Sequence, residues 1–317
     1  MLTTSLGFGL SKLMRIPMKQ DRRRILETAY DQGIRHFDVA RMYGLGAAEQ
    51  ELGEFLRTKR PEVSVATKFG IDVTGPQRWL GPLQAPVRWL FARSPSLKSV
   101  AIGKRPPAAR KRFTPDLLRT SLHTSLRKLK TDYVDILFLH EPTVDDYIAD
   151  DLGQCLEDLR MQGVVRTYGL SCWAEDLQVL LGRYPELAPV LQFDNDALRG
   201  QVDKLLLPTH SRLITMAPFA SALSDLRRLC AHSPEIVEKL AVETGVDLRL
   251  ENSQILYLLS HALQANPNGI TVFASTNSGH IAAVAECARE HVLDVRKVQG
   301  ITAGLRELRS ALNMKVG

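Results

Sequence analysis

The sequence predicts an α/β fold: a single (β/α)8 barrel with a long insertion after the third strand. Three observations predict it. Short apolar runs alternate with stretches of helical period, and counting from Leu6 gives eight runs of strand type. Helical crossovers between such runs favour a parallel sheet. Eight repeats in about 300 residues match the size of a closed barrel, whose chemistry sits on the loops after the strands. Length alone would suggest two domains for 317 residues, but barrels of this size occur as one. A doubly wound sheet is the runner-up. Against it, Gly7-Phe8-Gly9 runs into Ser11-Lys12 and completes no Gly-x-Gly-x-x-Gly turn.

Leu6 to Leu10 is the first strand. Ile25, Leu26, Ala29 and Tyr30 recur at helical spacing within 20–32, and Gly33 stops that helix. Strand 34–38, helix 47–58 and strand 63–67 follow. Gly70 to Arg112 breaks the alternation, with Pro76, Pro82, Pro86, Pro95, Pro106 and Pro107 beside Trp79, Trp89 and Phe91. Long connections are often functional, so 71–112 reads as a lid or substrate loop, or else as a disordered or partly helical excursion. Thr114 and Pro115 suit the N-cap and first position of a helix reaching about Lys130. Then come strand 133–139, helix 152–161, strand 164–170, helix 174–181, strand 189–193, a helix over 197–207 and strand 212–216. Helices at 234–243 and 252–264, strand 270–273 and helices at 279–290 and 295–312 complete the barrel.

No run of about 18 uncharged apolar residues is present, so no transmembrane helix is expected. Residues 1–13 lack the pattern of a secretory signal, which makes cytoplasm the default compartment. Four widely spaced cysteines, Cys155, Cys172, Cys230 and Cys287, give neither a zinc pattern nor a disulfide framework, and no metal is expected. The net charge of +6 suits a solvated surface or an anionic ligand. The basic run Lys104 to Arg112 has no aromatic interleaving, so no nucleic-acid partner is expected. Oligomeric state is not readable.

Three strand ends carry ionisable groups: Asp38, Lys68 and His140. Tyr43 lies in the loop after Asp38. A phenol titrates near pH 10 in water, and a neighbouring ammonium favours phenolate, so Lys68 is expected to lower the Tyr43 pKa towards a usable acid and base. Asp38 holds Lys68 charged, and His140 orients a substrate oxygen or shares the proton. This set protonates a carbonyl oxygen while another group attacks its carbon. No nucleophile–base pair or metal cluster accompanies it, which implies a hydride donor such as nicotinamide. Singly, each residue reads more readily as structural; the set reads as catalytic.

Gly33 to Gly44, with Glu49 and Leu52-Gly53, resembles the signature of the aldo/keto reductase family. Ala66 to Gly70, Asp132 to His140 and Tyr168 to Ser171 resemble its following blocks, in order and spacing. The resemblance implies a (β/α)8 barrel, an NAD(P)(H) cofactor across its mouth and reversible reduction of a small carbonyl or sugar substrate. It places Asp38, Tyr43, Lys68 and His140 in the four catalytic positions. It also implies cofactor contacts at Ser171, with Cys172 in place of the usual Asn, and at Gln192. Met216 falls where an aromatic residue commonly covers the nicotinamide. Pro218, Phe219 and Ser221 fall in the pyrophosphate loop, and Ser275, Thr276, Asn277 and His280 in the adenosine-phosphate loop. The helix after that loop offers free N–H groups to an anion. The family's usual cation for a 2′-phosphate is absent at Ala274 and His280, so both NADP(H), the family's common choice, and NAD(H) stay open. The departures also leave room for a cofactor-binding sensor or regulatory subunit of weak activity. A non-redox lyase or isomerase would need a phosphate or metal site that the sequence does not display. Glu49 reads as a helix-surface acid.

Overall fold

The computed structural model describes residues 5–71 and 111–311; the bulk of the 71–112 insertion, Trp79 and Trp89 included, lies outside them. Among the described residues ten strands occur in chain order: β1 (Leu6–Gly9), β2 (His36–Asp38), β3 (Ser64–Phe69), β4 (Arg112–Phe113), β5 (Val134–His140), β6 (Tyr147–Ile148), β7 (Val165–Ser171), β8 (Val190–Asp194), β9 (Arg212–Met216) and β10 (Ile270–Phe273). Eight of them close a barrel in the order β1-β10-β9-β8-β7-β5-β3-β2, every pairing parallel. The sequence-predicted strands all form, within a residue or two at each end. The short β4 and β6 pair apart from the barrel.

Side chains alternate along a strand, so each strand gives one face to the barrel interior. Ala66, Ile136, Phe138, Val190, Ile214, Ile270 and Val272 form a buried interior cluster. The same face continues upward as Asp38, Lys68, His140, Ser171, Gln192 and Met216, at or near the strands' C-terminal ends. The barrel is thus a packed apolar plug capped by a polar layer. β7 lies close against β8: a Cβ on Gly169 would lie 1.7 Å from the Val190 carbonyl oxygen.

Among the described residues ten helices pack outside: α1 (Lys19–Asp31), α2 (Ala47–Leu56), α3 (Pro115–Leu129), α4 (Leu152–Met161), α5 (Ala174–Arg183), α6 (Ala222–His232), α7 (Pro234–Thr244), α8 (Glu251–Ala265), α9 (Ser278–Glu290) and α10 (Val295–Ala311). Pro115 opens α3 as expected, but Thr114 makes no side-chain cap bond.

Three expectations fail. The 197–207 segment is a series of turns, not a helix. Asp196 Oδ1 accepts from the Leu198 and Arg199 amides, Asn195 Oδ1 accepts from Val202, and Gly200 sits at φ +58°. Short polar side chains satisfying nearby backbone compete with helix formation. Helix α6 was not expected, although Ala222, Leu226, Leu229 and Cys230 do give it one buried stripe. Glu49 is no surface acid: it is fully buried and accepts from Thr67 Oγ1 at 2.8 Å, burial raising its pKa.

Candidate active site

Asp38, Lys68 and His140 lie at or near the ends of β2, β3 and β5 and are 4%, 2% and 3% exposed. Lys68 Nζ donates to Asp38 Oδ2 in a buried ion pair. Tyr43 starts the tight turn after β2, where Gly44 adopts φ +58° against Met14. The Lys68 ammonium is 5.8 Å from the Tyr43 ring centroid. The Tyr43 and His140 rings meet edge to face at 6.1 Å. The barrel mouth therefore brings the four sequence-predicted groups together.

Their electrostatics differ from expectation. Tyr43 was expected to titrate low beside Lys68; instead burial pushes its phenol up, and the Asp38 and Glu141 carboxylates push the same way. Desolvation penalises the phenolate first, and the two carboxylates add to that penalty. Burial also lowers the Lys68 pKa, against the pull of Asp38. His140 is held well below the ordinary histidine value by burial, then by Lys68 and Lys111. It is therefore a neutral imidazole at pH 7, and its buried Nδ1 has no partner among the described residues.

Two of the expected cofactor residues extend this network. Ser171 Oγ donates to Gln192 Oε1 at 2.6 Å, and Gln192 Nε2 donates to Asp38 Oδ2 at 2.7 Å. One buried chain thus runs Ser171–Gln192–Asp38–Lys68. A hydroxyl and a primary amide, both able to exchange partners, are the right chemistry to receive a carboxamide. Cys172 is fully buried, with its thiol pushed up to about 12 by burial, so it packs rather than reacts. Met216 is half-buried against the interior cluster.

The remaining positions form the rim. Ala217 takes φ +63°, directing the chain through Pro218 and Phe219 to Ser221 at the start of α6. Phe219 packs edge to face on Phe273 at 6.4 Å. Sequence reasoning missed Arg199 here. Its guanidinium pairs with Asp196 and donates to Ser221 Oγ at 2.9 Å, bringing a cation to the expected pyrophosphate loop. The expectation of a helix obscured it; Asn195-Asp196 was the available signal for a turn. Thr276, Asn277 and His280 are exposed and Ser275 is half-buried. The free N–H groups expected at α9 are partly taken: Asn277 Oδ1 accepts from Gly279 and His280 at 2.8 and 3.3 Å.

Lys111 was also missed. Its ammonium donates to the Glu141 carbonyl and pairs with Asp146, fastening the chain's return from the insertion to the loop just past His140. Glu141 itself sits at φ +48°.

The aldo/keto reductase family model matches residues 5–195. The chain belongs to the aldo/keto reductase family. Like other aldo/keto reductases it is a closed parallel barrel. A glycerol dehydrogenase from Gluconobacter oxydans superposes with a TM-score of 0.70 at 17% identity, covering 99% of this chain and 94% of that one. An aldo-keto reductase from Bacillus halodurans in its holo form gives 0.67 at 20% identity, covering 96% and 91%. Among curated relatives, D-threo-aldose 1-dehydrogenase of a Pseudomonas species is 34% identical over 184 residues, 54% of this chain and 51% of that protein. An uncharacterised oxidoreductase of Bacillus subtilis is 30% identical over 147 residues, 46% and 38% of the two chains. The chain thus spans about half the length, or less, of these two curated relatives. The family match ends before Met216, Ser221 and the 275–280 loop. Among the described residues no helix is long and apolar enough to cross a membrane.

Proposed function

We propose that the protein is an NAD(P)(H)-dependent oxidoreductase that moves a hydride between nicotinamide and the carbonyl or alcohol carbon of an aldehyde, ketone or sugar. The observation that carries this reading is the buried Lys68–Asp38 pair at the mouth, flanked by the Tyr43 and His140 rings. Neutral His140 can hydrogen-bond a substrate oxygen without repelling Lys68. As that oxygen gains negative charge, the Tyr43 phenol donates its proton, and the resulting phenolate is stabilised beside Lys68. Burial keeps the phenol protonated near neutrality, the form that donates when the carbonyl is reduced. Oxidation needs Tyr43 as a base and so speeds up with rising pH.

The bound nicotinamide supplies or takes the hydride. Ser171 and Gln192 would hold its amide, with Met216 and Cys172 packed nearby. Pro218, Phe219 and Ser221, braced by Arg199, would take the pyrophosphate. Ser275, Thr276, Asn277 and His280 would face the adenosine end. A family structure from Klebsiella pneumoniae in complex with NADPH supports NADP(H); the lack of a cation at Ala274 and His280 keeps NAD(H) close. The aldose-dehydrogenase relative supports a sugar hemiacetal carbon as one substrate class.

Nucleotide titration of the intact protein, followed by a screen of aldehydes and aldoses, tests this. Tyr43→Phe should retain nucleotide binding and lose about 10²–10⁴-fold in turnover. Undiminished turnover by that variant rules out the Tyr43 role, and failure to bind either nucleotide rules out the whole reading.

A further inference from the structure

We propose that Glu141 sets the charge of the substrate at the barrel mouth: its carboxylate favours substrates with a hydroxyl beside the reacting carbonyl and rejects those that carry a carboxylate. The inference rests on the redox reading and names the substrate class for that same site.

The backbone aims this residue. Glu141 directly follows His140 at the end of β5. Its N–H donates to the Ser171 carbonyl at 2.6 Å, and its own carbonyl accepts from the Lys111 ammonium. Tethered on both sides, it takes φ +48°, a left-handed conformation that is unfavourable for glutamate. Residues held in this way cluster at active sites and ligand clamps. A strand continued past His140 would turn the next side chain away from the barrel axis, and the left-handed residue breaks that alternation. The Glu141 side chain is half-buried. Three groups spaced around the mouth feel its charge: Tyr43 after β2, Lys68 on β3 and Cys172 just past β7. The carboxylate therefore stands over the mouth among them.

The charge balance decides what it selects. Lys68 is paired with Asp38, and Lys111 with Asp146. Asp146 is filled on its other sides, accepting from the Lys111 and Thr143 amides at 2.6 and 2.8 Å. Neutral His140 adds no charge. The Glu141 carboxylate has neither an ion pair nor a hydrogen bond among the described residues. Among those residues the mouth thus holds one surplus negative charge, and it is a pure acceptor. A hydroxyl on the carbon next to the reacting one would meet it as a donor. A carboxylate there would be repelled, the more strongly because the site is poorly solvated.

Steady-state kcat/KM of the intact protein with nucleotide and three short aldehydes tests this. Glyceraldehyde carries the hydroxyl, butanal carries no polar group beyond its carbonyl, and succinic semialdehyde carries the carboxylate. Glyceraldehyde should be the best of the three and succinic semialdehyde the poorest. Glu141→Gln should raise succinic semialdehyde relative to butanal by about ten-fold. Ratios are the readout, because any effect of Glu141 on Tyr43 is common to all three aldehydes. Glu141→Gly suits a positive φ, so it should fold as the wild type does and lose the preference for glyceraldehyde over butanal. It stays informative if Glu141→Gln folds poorly. The proposal is overturned if the wild type takes succinic semialdehyde as readily as butanal, or if the folded variants keep wild-type ratios; either result leaves the redox reading standing. Turnover of no aldehyde by the nucleotide-loaded wild type overturns the redox reading, and the proposal with it.

Discussion

His36 should make this protein acid-labile by a calculable amount. It lies on β2 two residues before Asp38, faces the barrel interior, and bonds through Nδ1 to Ser64 Oγ at 3.1 Å. Its Nε2 is buried without a partner among the described residues. Burial lowers its pKa to about 4; Lys68 and Arg212 push the same way, and only Asp38 opposes. The unfolded chain binds this proton near pH 6.5, the folded chain only near 4. Between those values the unfolded state holds more protons, so stability falls as pH falls, then levels off below about 4. The depression amounts to roughly 3 kcal/mol, at up to about 1.4 kcal/mol per pH unit inside the window. His140 and His261 titrate in the same sense, so the measurement must be a difference. Urea unfolding of wild type and His36→Asn at pH 7, 5.5 and 4 provides it. The stability gap between them should shift by roughly 3 kcal/mol in favour of the variant on going from pH 7 to 4. Equal pH slopes for the two proteins would refute the buried-neutral assignment of His36.

Three further outcomes are expected. Lys68→Met strands the buried Asp38 carboxylate and should cost roughly 3–5 kcal/mol of stability by denaturant unfolding; adding Asp38→Asn should recover much of that stability but not turnover. Arg199→Gln should raise the Kd for nucleotide by about ten-fold, most clearly at low salt, with kcat little changed; an unchanged Kd would remove Arg199 from the phosphate loop. Gly169→Ala forces a methyl into the Val190 carbonyl and should abolish cooperative thermal unfolding or soluble expression; a wild-type melting curve would contradict the close β7–β8 approach.

The barrel was legible because its strands are short apolar runs with period-two faces, and because the polar exceptions, Asp38, Lys68 and His140, fall at their ends. Alternation alone places Lys68 on the inner face with Ala66, and His140 with Phe138. Features set through space were not legible. At Tyr43 burial, then the Asp38 and Glu141 carboxylates, reverses the expected direction of its pKa, and neither burial nor Glu141's approach is written in the local sequence. The 195–202 turns were misread because Leu198, Val202 and Leu205 mimic a helical stripe while Asp196 and Asn195 bind the backbone locally. Asn277 was placed in the adenosine-phosphate loop, and its side-chain oxygen also caps the helix that follows. Glu49 gave no sign of burial, since its environment comes from Thr67 on a neighbouring strand.

The fastening of Lys111 to the Glu141 carbonyl offers a splice point. A foreign segment grafted between Ile71 and Lys111 would enter from the end of β3 and leave at a post anchored one residue past His140. Specificity could then be exchanged as a cassette, with the strands that bear the reactive side chains left as they are.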